Sequence, residues 1–324
     1  MTHRENLIRA IQRDHPAWVP YRYDGSLTMP TPCVVAVARA GGLDDWGVNW
    51  VGTDTPEGSY PDGQPVLTIA GMEDLKLPDT DWEALTLDLQ TQVAEKHQAD
   101  TLVIAKSELI LFERARLLLG LEAFSLALLW APAKLHWLFD RLADYQVQLA
   151  HAVMRSGVAG IRFTDDWGIQ NSLYIKPEHW RTFIKPRLRR LYRVVKDYGG
   201  SVFQHTCGHI EEIVPDLIEI GLDVLDPCQP RSNDIFRWKR EYGDRLSFMG
   251  GLDTQGYLSF GAPAEVRTAI REVVSVMSRG GGYIAAPSHT ITLPRANQQA
   301  MIEAIGEVNA MGEVERGATW STSR

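Results

Sequence analysis

The chain has 324 residues, 44% hydrophobic and 23% charged, enough for one large α/β domain or two smaller ones with a sizeable core. Its 41 acidic and 33 basic residues leave a formal net charge of −8, which argues against nucleic acid as the main partner. No apolar run approaches the roughly 20 residues of a membrane span, Met1–Arg13 lacks the apolar core of a secretory leader, and Cys33, Cys207 and Cys228 are too scattered for a disulfide framework. A reducing cytoplasm and no membrane partner are expected.

In chain order, a polar helix-like start leads into a first strand at Trp18–Tyr23. Residues 24–69 then read as a long insertion, dense in Gly, Pro and Asp, in which Trp46, Trp50 and Tyr60 either line a pocket or pack. Further strands are predicted at Leu102–Lys106, Gly160–Asp165, Ser201–His205, Asp223–Pro227, Leu246–Met249 and Gly282–Ala286. Between them lie amphipathic helices. In 133–155, Leu135, Leu138, Phe139, Leu142, Leu149 and Val153 recur at helical spacing, and in 177–198 Trp180, Phe183, Ile184, Leu188, Leu191 and Val195 do the same. The arginines among the second set (Arg187, Arg189, Arg190, Arg193) are expected on its solvated face.

Alternation of strand and helix implies a parallel sheet. Polar or reactive residues follow six strands: Tyr23-Asp24, Asp165-Asp166, His205-Thr206-Cys207, Asp226-Pro227-Cys228, Asp253 and Ser288-His289. In a closed barrel those strand ends converge at one mouth, whereas in an open sheet they spread along an edge. The expected fold is therefore α/β, a single (β/α)8 TIM-type barrel over residues 1–324 with a long insertion after the first strand. Seven strands are credible, and the eighth is sought in 46–69.

His205 and Cys207 sit two apart at a strand end, so one face can present both. Imidazole and thiolate are good Zn2+ donors; the alternative is a buried cysteine beside a hydrogen-bonded histidine. A catalytic zinc takes three protein ligands and keeps one position open. His289 and Cys228 are candidates for the third, while His209 is placed for capping or outer contact. Of Asp165 and Asp166 only one can face the barrel centre, as ligand, orienting group or base; the other is expected to cap a helix. Asp253 poses the same choice. The glycine runs 250–251 and 280–282 lack a dinucleotide or phosphate-loop pattern, and no serine nucleophile elbow is present.

The stretch His205-Thr206-Cys207-Gly208, Ile213-Val214-Pro215-Asp216-Leu217-Ile218, Leu225-Asp226-Pro227, Tyr242-Gly243-Asp244, Gly250-Gly251-Leu252-Asp253 and Pro287-Ser288-His289 resembles the uroporphyrinogen decarboxylase superfamily. The likeness extends back through Asp165-Asp166-Trp167-Gly168-Ile169-Gln170 and Gly47-Val48-Asn49-Trp50. It implies a (β/α)8 barrel and one of two chemistries. True decarboxylases are metal-free and hold a tetrapyrrole's acidic side chains with an arginine-rich N-terminal segment; here Pro16–Gly25 contains one arginine, Arg22. The chain looks closer to the other branch, zinc methyltransferases that work with corrinoid proteins. There the resemblance implies His205 and Cys207 as ligands, with His289 in place of a distant cysteine. Such a set leaves the ion a charge of about +1, a good Lewis acid.

The resemblance thus implies a zinc-dependent methyltransferase that moves a methyl group between a heteroatom of a small-molecule substrate and a corrinoid cofactor carried by a partner protein. Asp166, Asp253 and Tyr23 are expected as catalytic groups, and Arg22, Asp24 and Gln170 as substrate contacts. The alternatives are a metal-independent lyase acting on a small carboxylic acid through Arg22, and a non-catalytic barrel in which zinc only stabilises structure.

Overall fold

The computed structural model describes residues 1–32, 41–53 and 59–310. Its strands are β1 (Leu27–Thr28), β2 (Gly41–Leu43), β3 (Asn49–Val51), β4 (Tyr60–Pro61), β5 (Leu102–Val103), β6 (Ala105–Glu108), β7 (Gly160–Thr164), β8 (Ser201–His205), β9 (Val224–Asp226), β10 (Ser247–Leu252) and β11 (Tyr283–Pro287). Strands β6 to β11 form one parallel sheet in sequence order. Strands covered on both faces need apolar residues without alternation, and all six residues of β10 are buried.

One N-terminal segment joins the two edges of that sheet. Arg22 N donates to Ala285 O (2.9 Å) and Ala285 N to Pro20 O (2.8 Å), on β11. After a turn held by Asp24, Ser26 O, Thr28 O and Pro30 O accept from Leu102 N, Ile104 N and Lys106 N along β5 and β6. Residues 20–30 thereby join the two edges of the sheet, as in the expected TIM-type barrel. The helices Pro132–Arg155, Lys185–Asp197, Pro263–Met277 and Arg295–Ala310 bury their apolar stripes around it.

Two expectations need correction. Among the described residues, the stretch 46–69 supplies no barrel strand: β2, β3 and β4 pair antiparallel, with faces exposed or half-buried. Its Gly, Pro and Asp residues suit such a surface ribbon and not a stave buried on both sides. Residues 33–40 and 54–58 of the insertion lie outside the described residues. Second, Arg187 is not on a solvated face. It is buried between helices, with Nε 2.8 Å from Asp140 Oδ1, whereas Arg189, Arg190 and Arg193 are exposed and ion-paired to Glu219, Asp144 and Asp197. Periodicity locates a helix's apolar stripe but not the long side chains at its margin, whose stems can be covered.

The insertion is pinned to the barrel by a buried ion pair. Asp44 Oδ2 lies 2.8 Å from Arg114 Nη1, both side chains about 1% exposed. The same carboxylate accepts from Trp46 N, Val48 N and Trp50 Nε1. Trp46 meets Tyr145 edge-on at 5.0 Å and lies beneath the Arg114 guanidinium at 4.9 Å. Trp46 and Trp50 are therefore packing and anchoring residues, while Tyr60 is exposed. Asp44→Ala leaves the Arg114 guanidinium buried without its counter-charge, and a loss of about 3–5 kcal/mol is expected. Urea denaturation measures it; an unchanged midpoint would show that the insertion is not anchored through this pair.

Candidate metal centre

Strand β8 ends at His205, and the next three residues are tied on both flanks. Toward β7, Asp165 N donates to His205 O (3.2 Å), Trp167 N to Thr206 Oγ1 (3.0 Å) and Cys207 N to Asp166 Oδ1 (2.8 Å). Toward β9, Thr206 N donates to Asp226 O (3.0 Å) and Gly208 N to Gln229 Oε1 (2.7 Å). Gly168 and Gly208 stand back to back. Gly208 has φ +80°, and a Cβ there would lie 2.2 Å from the Gly168 carbonyl carbon. Only glycine lets the two loops approach this closely, and that approach places Cys207 beside the end of β7.

Three ligand atoms converge there. Asp166, His205 and Cys207 each offer one donor, all within 4.8 Å of one another. His205 Nε2 is 3.5 Å from Cys207 Sγ and 3.9 Å from Asp166 Oδ1. The neighbouring carboxylate turns away: Asp165 is fully buried and accepts from Phe112 N (2.8 Å), Glu113 N (2.8 Å) and Trp167 Nε1 (3.0 Å). It caps the helix Phe112–Leu119 from the end of the neighbouring strand, satisfying donors that helix leaves free. One aspartate serves the fold and the other faces the centre.

The donor set fits a divalent cation of the zinc type: one imidazole, one thiol and one carboxylate. Electrostatics point the same way. Burial, then Asp166 and Asp226, push the Cys207 thiol well above its ordinary value. Burial, followed by Asp166 and Asp165, does the same to the Glu113 carboxyl, whose Oε2 accepts from Asp166 N (3.1 Å). A cation at the triad would relieve this crowding of acidic groups and stabilise the thiolate.

His205 also lines a cavity of about 170 Å3, with Arg22, Tyr23, Lys106, Arg162, Asp226, Met249 and His289. On its Nδ1 side, Asp226 Oδ2 is at 2.8 Å and Arg162 Nη2 at 2.6 Å. Arg162 grips Asp226 through Nε and Nη2 (3.1 and 2.6 Å). Burial pushes the Asp226 carboxyl up, but Arg162 and then His205 hold it down at about 2.

Of the residues expected from sequence, the structure gathers His205, Cys207 and Asp166 into one cluster and places Arg22, Tyr23 and His289 around the adjoining cavity. The three residues whose ligand atoms converge include Asp166 and not His289. His289 Nδ1 lies 3.2 Å from Thr290 O in an exposed turn. The structure does not bring Asp24, Gln170 or Asp253 to this cavity. Asp24 accepts from Ser26 N and shapes the first turn; Gln170 donates to Arg231 O and Ser232 Oγ; Asp253 pairs with Arg231 at 2.8 Å. Asp253 and Arg231 line a separate and larger cavity of about 630 Å3 that contains no member of the triad, so cavity size alone does not locate the chemistry. Cys228 is buried and donates to Leu225 O, and His209 lies between Ser232 O and Glu212.

Sequence reading assigned no role to Asp226, Arg162, Glu113 or Lys106. Asp226 was visible as a polar strand end. Arg162 lies inside a strand and Glu113 inside a helix start, where spacing gives no sign of what they face.

A profile of the family described as "Uroporphyrinogen decarboxylase (URO-D)" matches residues 51–308. The uroporphyrinogen decarboxylase of Hahella chejuensis is 25% identical over 187 residues, which is 55% of this chain and 49% of that protein. That of Methylococcus capsulatus is 26% identical over 183 residues, 54% and 49% of the two chains. The chain thus spans about half the length of the curated relatives it matches. The structure of a methyltransferase from Methanosarcina mazei aligns with a TM-score of 0.73 at 17% identity, covering 95% of this chain and 99% of that one. At that identity the likeness concerns the fold alone. Since the profile covers most of the sequence and the barrel is shared, this chain belongs to the uroporphyrinogen decarboxylase (URO-D) family.

Proposed function

We propose that the chain is a zinc-dependent methyltransferase, transferring a methyl group between a heteroatom of a small molecule and a corrinoid carried by a partner protein. The observation that supports it best is the convergence of His205 Nε2, Cys207 Sγ and an Asp166 carboxylate oxygen at the barrel mouth. Zinc held there supplies Lewis acidity to a substrate heteroatom. The chain's own groups do the rest. His205, Cys207 and Asp166 hold the ion, and Glu113 supports the Asp166 backbone. Arg22 and Tyr23 border the adjoining cavity, where they orient the substrate, and His289 faces the same space. The ligand set has a further consequence. With Asp166 in place of His289, a thiolate and a carboxylate together neutralise the ion. The balance shifts from a strongly electrophilic zinc toward one on which a substrate thiolate would stay nucleophilic.

A second reading, a metal-independent lyase acting on a small carboxylic acid, draws on Arg22. This side chain lines the cavity, donates to Leu27 O and lies over the Tyr23 ring at 5.1 Å; among the described residues no carboxylate is within ion-pairing distance of it.

Elemental analysis of untagged protein is expected to find about one zinc per chain, as a single three-ligand site would hold. The His205→Ala/Cys207→Ala double variant should lose it. Asp166→Asn should bind more weakly, and His289→Ala should retain its metal. Absence of zinc from the unaltered chain, even after incubation with the ion, would sink the methyltransferase reading. Turnover of candidate substrates with and without chelator separates the two readings. Methyl transfer to an added corrinoid should stop when zinc is removed. Carboxylate turnover that survives chelation but disappears in Arg22→Ala would establish the lyase.

A further inference from the structure

A histidine ligand binds a metal through one nitrogen only if its single proton sits on the other. Resting on the zinc reading above, we infer that Asp226, clamped by Arg162, is the positioning residue that commits His205 Nε2 to the metal. His205 and Asp226 are register partners in the β8–β9 ladder, so their side chains rise side by side into the barrel. Arg162 stands on β7, two residues before Thr164, which is the partner of His205 on its other side. From there its guanidinium reaches diagonally to Asp226.

His205 Nδ1 has two close neighbours, Asp226 Oδ2 at 2.8 Å and Arg162 Nη2 at 2.6 Å. An ionised carboxylate only accepts, and a guanidinium only donates. If Nδ1 accepted from Arg162, its lone pair would also face the carboxylate oxygen, and the ring proton would block Nε2. With the proton on Nδ1, Asp226 accepts it and Nε2 presents its lone pair to Asp166 and Cys207. Arg162 has other work in that arrangement, because Nε and Nη2 already donate to Asp226. The fork also occupies both carboxylate oxygens. Asp226 is 3% exposed, so it can neither turn out to solvent nor rotate to become a ligand. It therefore acts on the metal through the imidazole, as outer carboxylates do in histidine-ligated sites.

The test uses metal alone, on the full chain. Zinc affinity is measured by competition with a chromophoric chelator, and Co2+ is added as a spectroscopic probe of ligand geometry. Asp226→Asn is expected to weaken zinc binding by about 10–100-fold and to weaken the visible d–d bands of tetrahedral Co2+ as His205 loses its alignment. Because that substitution leaves Arg162 unpaired, the Asp226→Asn/Arg162→Gln double variant is measured beside it, with circular dichroism and thermal melting to confirm folding. The same loss of affinity and the same altered Co2+ spectrum in the folded double variant support the inference; a merely structural pair would leave the spectrum of folded protein unchanged. Wild-type zinc affinity and an unaltered Co2+ spectrum in either folded variant overturn it and leave the zinc reading standing. No metal on the unaltered chain overturns both.

Discussion

The register between neighbouring parallel strands governs everything at the barrel mouth. Thr164, His205 and Asp226 lie in one row across β7, β8 and β9, and side chains alternate along each strand. A slip of one residue in β8 would turn His205 outward and separate it from Asp226 and Asp166. The backbone enforces this register sterically. At Gly160 a Cβ would lie 2.0 Å from Ser201 O, and at Gly250 one would lie 2.0 Å from Pro227 O. Strands that approach so closely tolerate only glycine at those points.

Charge around the site is layered. Innermost is the triad of one imidazole, one thiol and one carboxylate, with acidic Glu113 behind Asp166. On the opposite side of the imidazole stand Asp226 and Arg162, and beyond them Arg22 and Lys106 border the cavity. Acidic groups thus gather where a cation is proposed to bind, and basic groups gather where a substrate would approach. The low dielectric of the interior strengthens both tendencies and makes an unmatched charge costly.

Much of this was legible in the sequence, for identifiable reasons. The strand pattern and helical stripes located the barrel, because burial on both faces imposes apolar runs. His205 and Cys207 were legible because strand geometry puts positions i and i+2 on one side. The division of labour between Asp165 and Asp166 followed from the same alternation, though which aspartate faces the centre depends on pleat phase. Asp166 is one of the two aspartates that the sequence offers as ligand, orienting group or base; its choice over His289 was not legible, because it depends on how the end of β7 meets the loop after β8 at Gly168 and Gly208. The resemblance puts His289 where a distant cysteine would ligate; backbone direction after β11 carries it into an exposed turn. Asp24, Gln170 and Asp253 have the residue types of catalytic or substrate-binding groups, yet each bonds loop groups: Asp24 accepts from Ser26 N, Gln170 donates to Arg231 O, and Asp253 pairs with Arg231. Short polar side chains in turns commonly satisfy their own backbone.

The ring is closed by the pairing of residues 20–30 with β11 on one side and with β5 and β6 on the other. This seam joins the beginning of the described barrel to its end. During synthesis, Pro20–Arg22 has no partner on its outer side until Tyr283–Pro287 has been made. The first stave must therefore wait with its hydrogen-bonding edge open until β11 has been made. Such long-range closure is slow and leaves a strand edge available for wrong pairing. The polar turn at Asp24–Gly25 and the exposed Tyr23 interrupt that edge midway. A broken edge is a poorer template for a second chain than a continuous one, so the same turn that shapes the barrel mouth also shields the unfinished protein.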